Sequence, residues 1–169
     1  MKKNISLKKG FTLLEILLVV GIIAILAGIV ILAINPSKQL GDTRNAQRRS
    51  DVLSIINAVY QYEIDHNGTA PATIQEGTLD GCDLAANLIA TSSDTSIGSI
   101  DLYSTLVTAS ATYLNAIPRD PLWASGASST GYGVVKASSS TGGRITVCAP
   151  LSLGEGNIAS DGTMISVTR

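Results

Sequence analysis

A chain of 169 residues has room for one modest globular domain with appendages and little room for two. Its 12 basic and 13 acidic side chains nearly cancel, but Lys2, Lys3, Lys8 and Lys9 all precede the first apolar run. The 8 basic residues that remain face all 13 acidic ones, a formal net of −5 from residue 11 onward, which excludes a broad basic footprint for nucleic acid.

The first element is apolar. From Ile16 to Ile34 nineteen residues pass without a charge or a strongly polar group. At about 1.5 Å per residue such a helix spans about 28 Å, close to the hydrocarbon thickness of a bilayer. A secretory signal has a shorter apolar core followed by an A-x-A-like cleavage site. This run has no such site after it, and no cysteine for lipidation occurs before Cys82. The four lysines ahead of the run predict an N-in, C-out orientation, with residues 36–169 outside the cytoplasm. Glu15 borders the run, where a carboxylate at the bilayer centre would cost about 2.5–3.5 kcal/mol; it calls for a partner of opposite sign. Gly21, Ala24 and Gly28 fall at i, i+3 and i+7, a helix face on which small side chains let backbones approach closely.

The stretch Lys8-Lys9-Gly10-Phe11-Thr12-Leu13-Leu14-Glu15 resembles the class III signal of type IV pilins and type II secretion pseudopilins. The resemblance is strong over residues 2–34. It implies cleavage by a prepilin peptidase between Gly10 and Phe11 and N-methylation of the new amine of Phe11. It also implies that Glu15 pairs with that amine on a neighbouring subunit, which would fix axial register during assembly. On the same helix the two lie four residues apart, so an intrachain pair is also within reach in a monomer.

Beyond the apolar run, Pro36 is expected to interrupt the helix and Gly41 to loosen it. Many family members carry their proline four residues earlier, where this chain has Leu32. From Asp42 onward the spacing predicts an amphipathic helix. Val52, Ile56, Val59 and Glu63 lie on one side, and Leu53, Ile55, Tyr60, Tyr62 and Ile64 widen the apolar stripe. Arg44, Arg48, Arg49 and Asp51 suit the opposite or basal face. His66-Asn67-Gly68 reads as the stop, with Gly68 as its left-handed residue. His66, the only histidine, suits a helix C-terminus. Asp65-His66-Asn67-Gly68-Thr69 also fits an N-glycosylation acceptor, with an acidic residue two before the asparagine as in the bacterial form of that signal.

Residues 69–128 read as a long connection with short helices at Asp83–Ala90 and Asp101–Leu106. Pro118 and Pro121 enforce an extended turn around Arg119 and Asp120, similar to the Pro-x-Asp-Pro stretch of many major pseudopilins. Strands are predicted at Tyr132–Ala137 and Arg144–Pro150, joined by a turn over Ser138–Gly143. A third follows Ser160-Asp161-Gly162 at Met164–Thr168. Cys82 and Cys148 are an even pair on the exported side, so a disulfide is the default and two buried free thiols the alternative.

No G-x-S-x-G, H-E-x-x-H, P-loop or C-x-x-C pattern occurs, and no enzymatic activity is expected. Some major pseudopilins bind calcium after the Pro-x-Asp-Pro stretch. Here Asp120, Glu155 and Asp161 are too scattered to form a ligand pattern, so no cofactor is expected and no metal ligand is assigned, with calcium left as the alternative.

The resemblance implies an α+β, pilin-like fold: a long N-terminal helix packed against a small C-terminal antiparallel sheet of three or four strands. Its expected parts are a leader at 1–10, a membrane or filament-core helix at 11–35, an amphipathic helix at 36–67, and the connection and sheet at 68–169. The implied function is a structural subunit of a type IV pilus-like filament, for adhesion, motility or DNA uptake. Its partners would be further copies of itself, prepilin peptidase, an inner-membrane assembly platform and motor, and the membrane. The alternatives are a major pseudopilin of type II secretion and a monomeric membrane-anchored extracytoplasmic binding module.

Overall fold

The computed structural model describes residues 10–78, 82, 85–93, 99–108, 113–124, 126–138, 143–154 and 164–169. Residues 1–9 of the expected leader, Asp83, the turn at 139–142, Glu155 and residues 160–162 lie outside the described residues. The chain divides into two units, one up to Ser37 and one from Lys38 on.

In the first unit, Thr12 starts helix α1, Leu13–Ala33. Its own backbone is extended (φ −80°, ψ 152°), and its hydroxyl accepts the Glu15 N–H at 3.2 Å. This satisfies one of the donors left open at a helix start. Every residue of α1 is exposed, and beyond Glu15 the helix is apolar all round, with no polar face. The helix ends at Ile34, which is extended and donates its N–H to the Val30 carbonyl. A residue before proline is pushed away from helical backbone, and proline itself suits a first helical position. Pro36 accordingly opens helix α2, Pro36–Asp65, rather than kinking the interior of one.

In the second unit, α2 buries Val52, Ile55, Ile56, Ala58 and Val59. The predicted stripe is too wide, since Leu53, Tyr60 and Ile64 are exposed. The prediction that Arg48 and Asp51 face away from the core is reversed, because both are buried. Asn45, Arg48, Val52, Ile55 and Val59 recur at helical spacing, so the inward face carries polar groups toward its start and apolar ones after it.

The helix stop also differs in detail. Asn67, not glycine, is the first left-handed residue (φ 57°), and Gly68 follows at φ 80°. The Gly68 N–H reaches back to the Glu63 carbonyl at 2.7 Å, the long bond of a Schellman ending. Asparagine, like aspartate, tolerates this conformation better than most non-glycine residues.

The sheet has four antiparallel strands in sequence order: β1 Leu88–Ala90, β2 Ser129–Lys136, β3 Ile145–Ala149 and β4 Ile165–Thr168. The expected helix over Asp83–Ala90 is instead a single 3₁₀ turn, Ala85–Asn87, leading into β1. A run that short is a marginal helix in water, and pairing with β2 together with burial of all three β1 residues decides the matter. The second candidate survives as a π-helical turn, Ser104–Thr108, held by Asp101, whose carboxylate accepts from Ser104 N–H and Oγ–H.

Along β2 and β3, Tyr132, Val134, Ile145, Val147 and Ala149 join the main core with α2. Val135 and Cys148 form a second cluster with Cys82. This is the two-residue alternation of a sheet packed on both faces.

Candidate functional site

Two groups of residues carry functional interest. The first is the N-terminal stretch. Gly10 and Phe11 are exposed and precede the helix in non-helical backbone, with Phe11 80% exposed. Thr12 caps α1, so the Gly10–Phe11 peptide lies just outside the first turn. Glu15 occupies that turn, where the positive end of the helix dipole favours a carboxylate. A Cβ built on Gly21 or Gly28 meets nothing within 4 Å, so packing within the described chain does not require either glycine. Ala24 is likewise exposed.

The second group is buried. Arg48 Nε donates to Asp120 Oδ2 at 2.6 Å, Nη2 to Oδ1 at 3.1 Å, and Nη1 to Asn45 Oδ1 at 2.9 Å. Asp120 Oδ1 also accepts the Leu122 N–H at 2.9 Å, and the Asp120 N–H donates to the Thr130 carbonyl. A planar guanidinium suits such a two-point pair. One turn further along α2, Asp51 accepts from Tyr132 Oη at 2.7 Å and from Gln47 Nε2 at 2.8 Å. Burial pushes the Tyr132 phenol far above the usual tyrosine range, and the hydrogen bond and negative charge of Asp51 add to the effect. Polar groups taken from water without partners are costly, and these find each other between α2, the Pro-Arg-Asp-Pro turn and β2. The Asn45 Nδ2 and the Ser99 hydroxyl are the buried side-chain groups without a hydrogen bond among the described residues.

Arg119, neighbour to Asp120, donates to the carbonyls of Ala124 and Ala127 at 3.3 and 2.8 Å and so braces the loop after the turn. Among the described residues no group of three or more His, Cys, Asp or Glu is placed to hold a metal ion. At the end of α2, His66 stacks on Tyr62 with ring centres 3.8 Å apart and donates its Nδ1–H to the Tyr62 carbonyl.

Cys82 and Cys148 are joined in a disulfide with Cα atoms 6.4 Å apart. Gly133 stands opposite Cys148 on β2. A Cβ there would overlap the Cys82 carbonyl oxygen and come within 2.9 Å of the Cys148 sulfur, so the absence of a side chain admits the crossing segment.

Local sequence patterning does not reveal the buried Arg48–Asp120 pair. The available signal was helical phase, since Asn45 and Arg48 share the face of Val52, Ile55 and Val59.

Residues 5–31 match the family model described as the prokaryotic N-terminal methylation motif. The chain is similar to the type II secretion system core protein G of Aeromonas hydrophila, with 37% identity over 60 residues. That alignment takes in 36% of this chain, and the chain spans 41% of the length of that relative. No solved structure matches the chain.

Proposed function

We propose that this chain, which carries the N-terminal methylation motif of the type IV pilin and type II secretion pseudopilin family, is the structural subunit of a pilus-like filament. The observation that carries the reading is the junction of that motif with α1: an exposed Gly10–Phe11 peptide, a cap at Thr12, Glu15 in the first turn, and 21 residues of uncovered apolar helix. Each buried Leu, Ile or Val contributes about 1.5–3 kcal/mol, so such a helix resides in lipid or among others of its kind.

In this reading a prepilin peptidase cuts after Gly10 and the amine of Phe11 is methylated. The precursor sits N-in, C-out in the cytoplasmic membrane. Assembly draws α1 from lipid into a bundle of helices, driven by an inner-membrane platform and motor. Glu15 pairs with the Phe11 amine of a neighbour, which leaves neither charge alone in a medium of low dielectric. The small face of Gly21, Ala24 and Gly28 lets helices approach. A second reading, the major subunit of a secretion pseudopilus, is favoured by the similarity to a type II secretion core protein.

Mass spectrometry of the mature protein tests the first step. A start at N-methyl-Phe11 is expected, along with accumulation of the precursor when Gly10 is replaced by alanine or a larger residue. An intact Met1 or Lys2 start would overturn the filament reading. Electron microscopy with peptide identification then separates surface pili from a secretion pseudopilus.

A further inference from the structure

We propose that Asn67 is an N-glycosylation acceptor, modified on the extracytoplasmic side by a glycan delivered on a lipid diphosphate. The proposal rests on the exported orientation given above. From residue 11 onward, Asn67 is the one asparagine followed by a non-proline residue and then by Ser or Thr; Asn35 has the right third residue, but Pro36 disqualifies it.

The structure places this tripeptide where a transferase can reach it. Asn67, Gly68 and Thr69 are all exposed, in a turn past the end of α2 rather than in a helix or strand. The hydrogen bonds that set the turn use neither the Asn67 nor the Thr69 side chain: Gly68 N–H donates to the Glu63 carbonyl and Thr69 N–H to the His66 carbonyl at 3.1 Å. The Asn67 carboxamide and the Thr69 hydroxyl therefore have no structural duty, and neither has a hydrogen-bond partner among the described residues. Asp65 supplies the acidic position two residues before the acceptor. A bulky hydrophilic group at an exposed turn displaces no core contact.

In the transfer, the Asn67 amide nitrogen attacks the anomeric carbon of the lipid-linked sugar. A nitrogen–carbon bond forms, the bond from that carbon to the phosphate oxygen breaks, the lipid diphosphate leaves with the electron pair, and the amide releases one proton.

The test is peptide and intact-mass measurement on mature full-length protein from its own cells. The variants are Asn67→Asp, Thr69→Ala and Thr69→Ser. Aspartate tolerates the left-handed turn as asparagine does, so loss of the acceptor amide is separated from loss of the fold. The wild-type peptide carrying Asn67 is expected to show the added mass of a glycan, which disappears in Asn67→Asp and Thr69→Ala and persists in Thr69→Ser. An unmodified wild-type Asn67 peptide, or a Thr69→Ala protein that keeps the added mass, would overturn the proposal. The same spectra report the N-terminus. A start at N-methyl-Phe11 with a bare Asn67 overturns the glycan and leaves the filament subunit standing, whereas a glycan on a chain that still begins at Met1 supports the modification and overturns the filament.

Discussion

Arg48 Nε lies 2.6 Å from Asp120 Oδ2 across 72 residues of sequence, and both side chains are fully shielded from solvent. The pair latches the inward face of α2 to the Pro-Arg-Asp-Pro turn, and Asp51 with Tyr132 repeats the arrangement one turn on, between α2 and β2. Removing one partner leaves a buried charge unpaired. Asp120→Ala is therefore expected to lower stability by about 3–5 kcal/mol, whereas Arg48→Met combined with Asp120→Leu recovers most of that loss. Urea unfolding of the full chain in detergent checks both, and equal losses in the single and double variants would show that the pair is not the latch.

The Tyr132 phenol gives the domain an alkaline limit. Burial first, and the Asp51 hydrogen bond and charge second, hold its proton well above the usual tyrosine range. The unfolded chain releases that proton near pH 10 while the folded chain keeps it, so the unfolded state binds fewer protons. Stability from this group is complete below about pH 10 and declines above it by about 1.4 kcal/mol per pH unit. Tyr132→Phe should flatten the fall between pH 10 and 11. Some slope remains from Tyr113, raised first by its hydrogen bond to Asp65. Denaturant midpoints across that range decide it; identical slopes in wild type and variant would count against the assignment.

Gly133 and the Cys82–Cys148 disulfide form one unit. The bridge closes a separation of 66 residues, worth about 4 kcal/mol in the chain-entropy model. Alkylation under non-reducing conditions should label neither cysteine in the wild type. Gly133→Ala places a methyl group against the Cys82 carbonyl, so free thiol is expected in that variant, together with a lower unfolding midpoint. A fully oxidised Gly133→Ala protein of wild-type stability would refute the coupling.

Glu15→Gln separates anchoring from assembly. The variant removes a charge from the first turn of α1, so membrane insertion becomes easier. In the proposed filament the Phe11 amine of a neighbour would then be left unpaired, at a cost of about 3–5 kcal/mol. Normal insertion and cleavage with sharply reduced filament yield is expected. Wild-type filament yield, measured beside monomer level and processing, would remove Glu15 from the assembly role.

Local chemistry made the N-terminal region readable from the residues alone. Nineteen uncharged positions from Ile16 to Ile34 meet no competing signal, because a helix apolar on every side depends on its solvent and not on a particular neighbour. Strands β2, β3 and β4 were legible for a related reason: their alternation is written within a few residues of each other. Tertiary structure decided what depends on distant partners. Arg48 and Asp51 read as solvated charges until Asp120 and Tyr132, 72 and 81 residues away, supply the hydrogen bonds that make their burial tolerable. Leu88–Ala90 read as part of a helix until β2 offered an edge to pair with. Gly68 is left-handed as its sequence suggests, but Asn67 before it is left-handed too, because the Gly68 N–H reaches back to the Glu63 carbonyl across the end of α2.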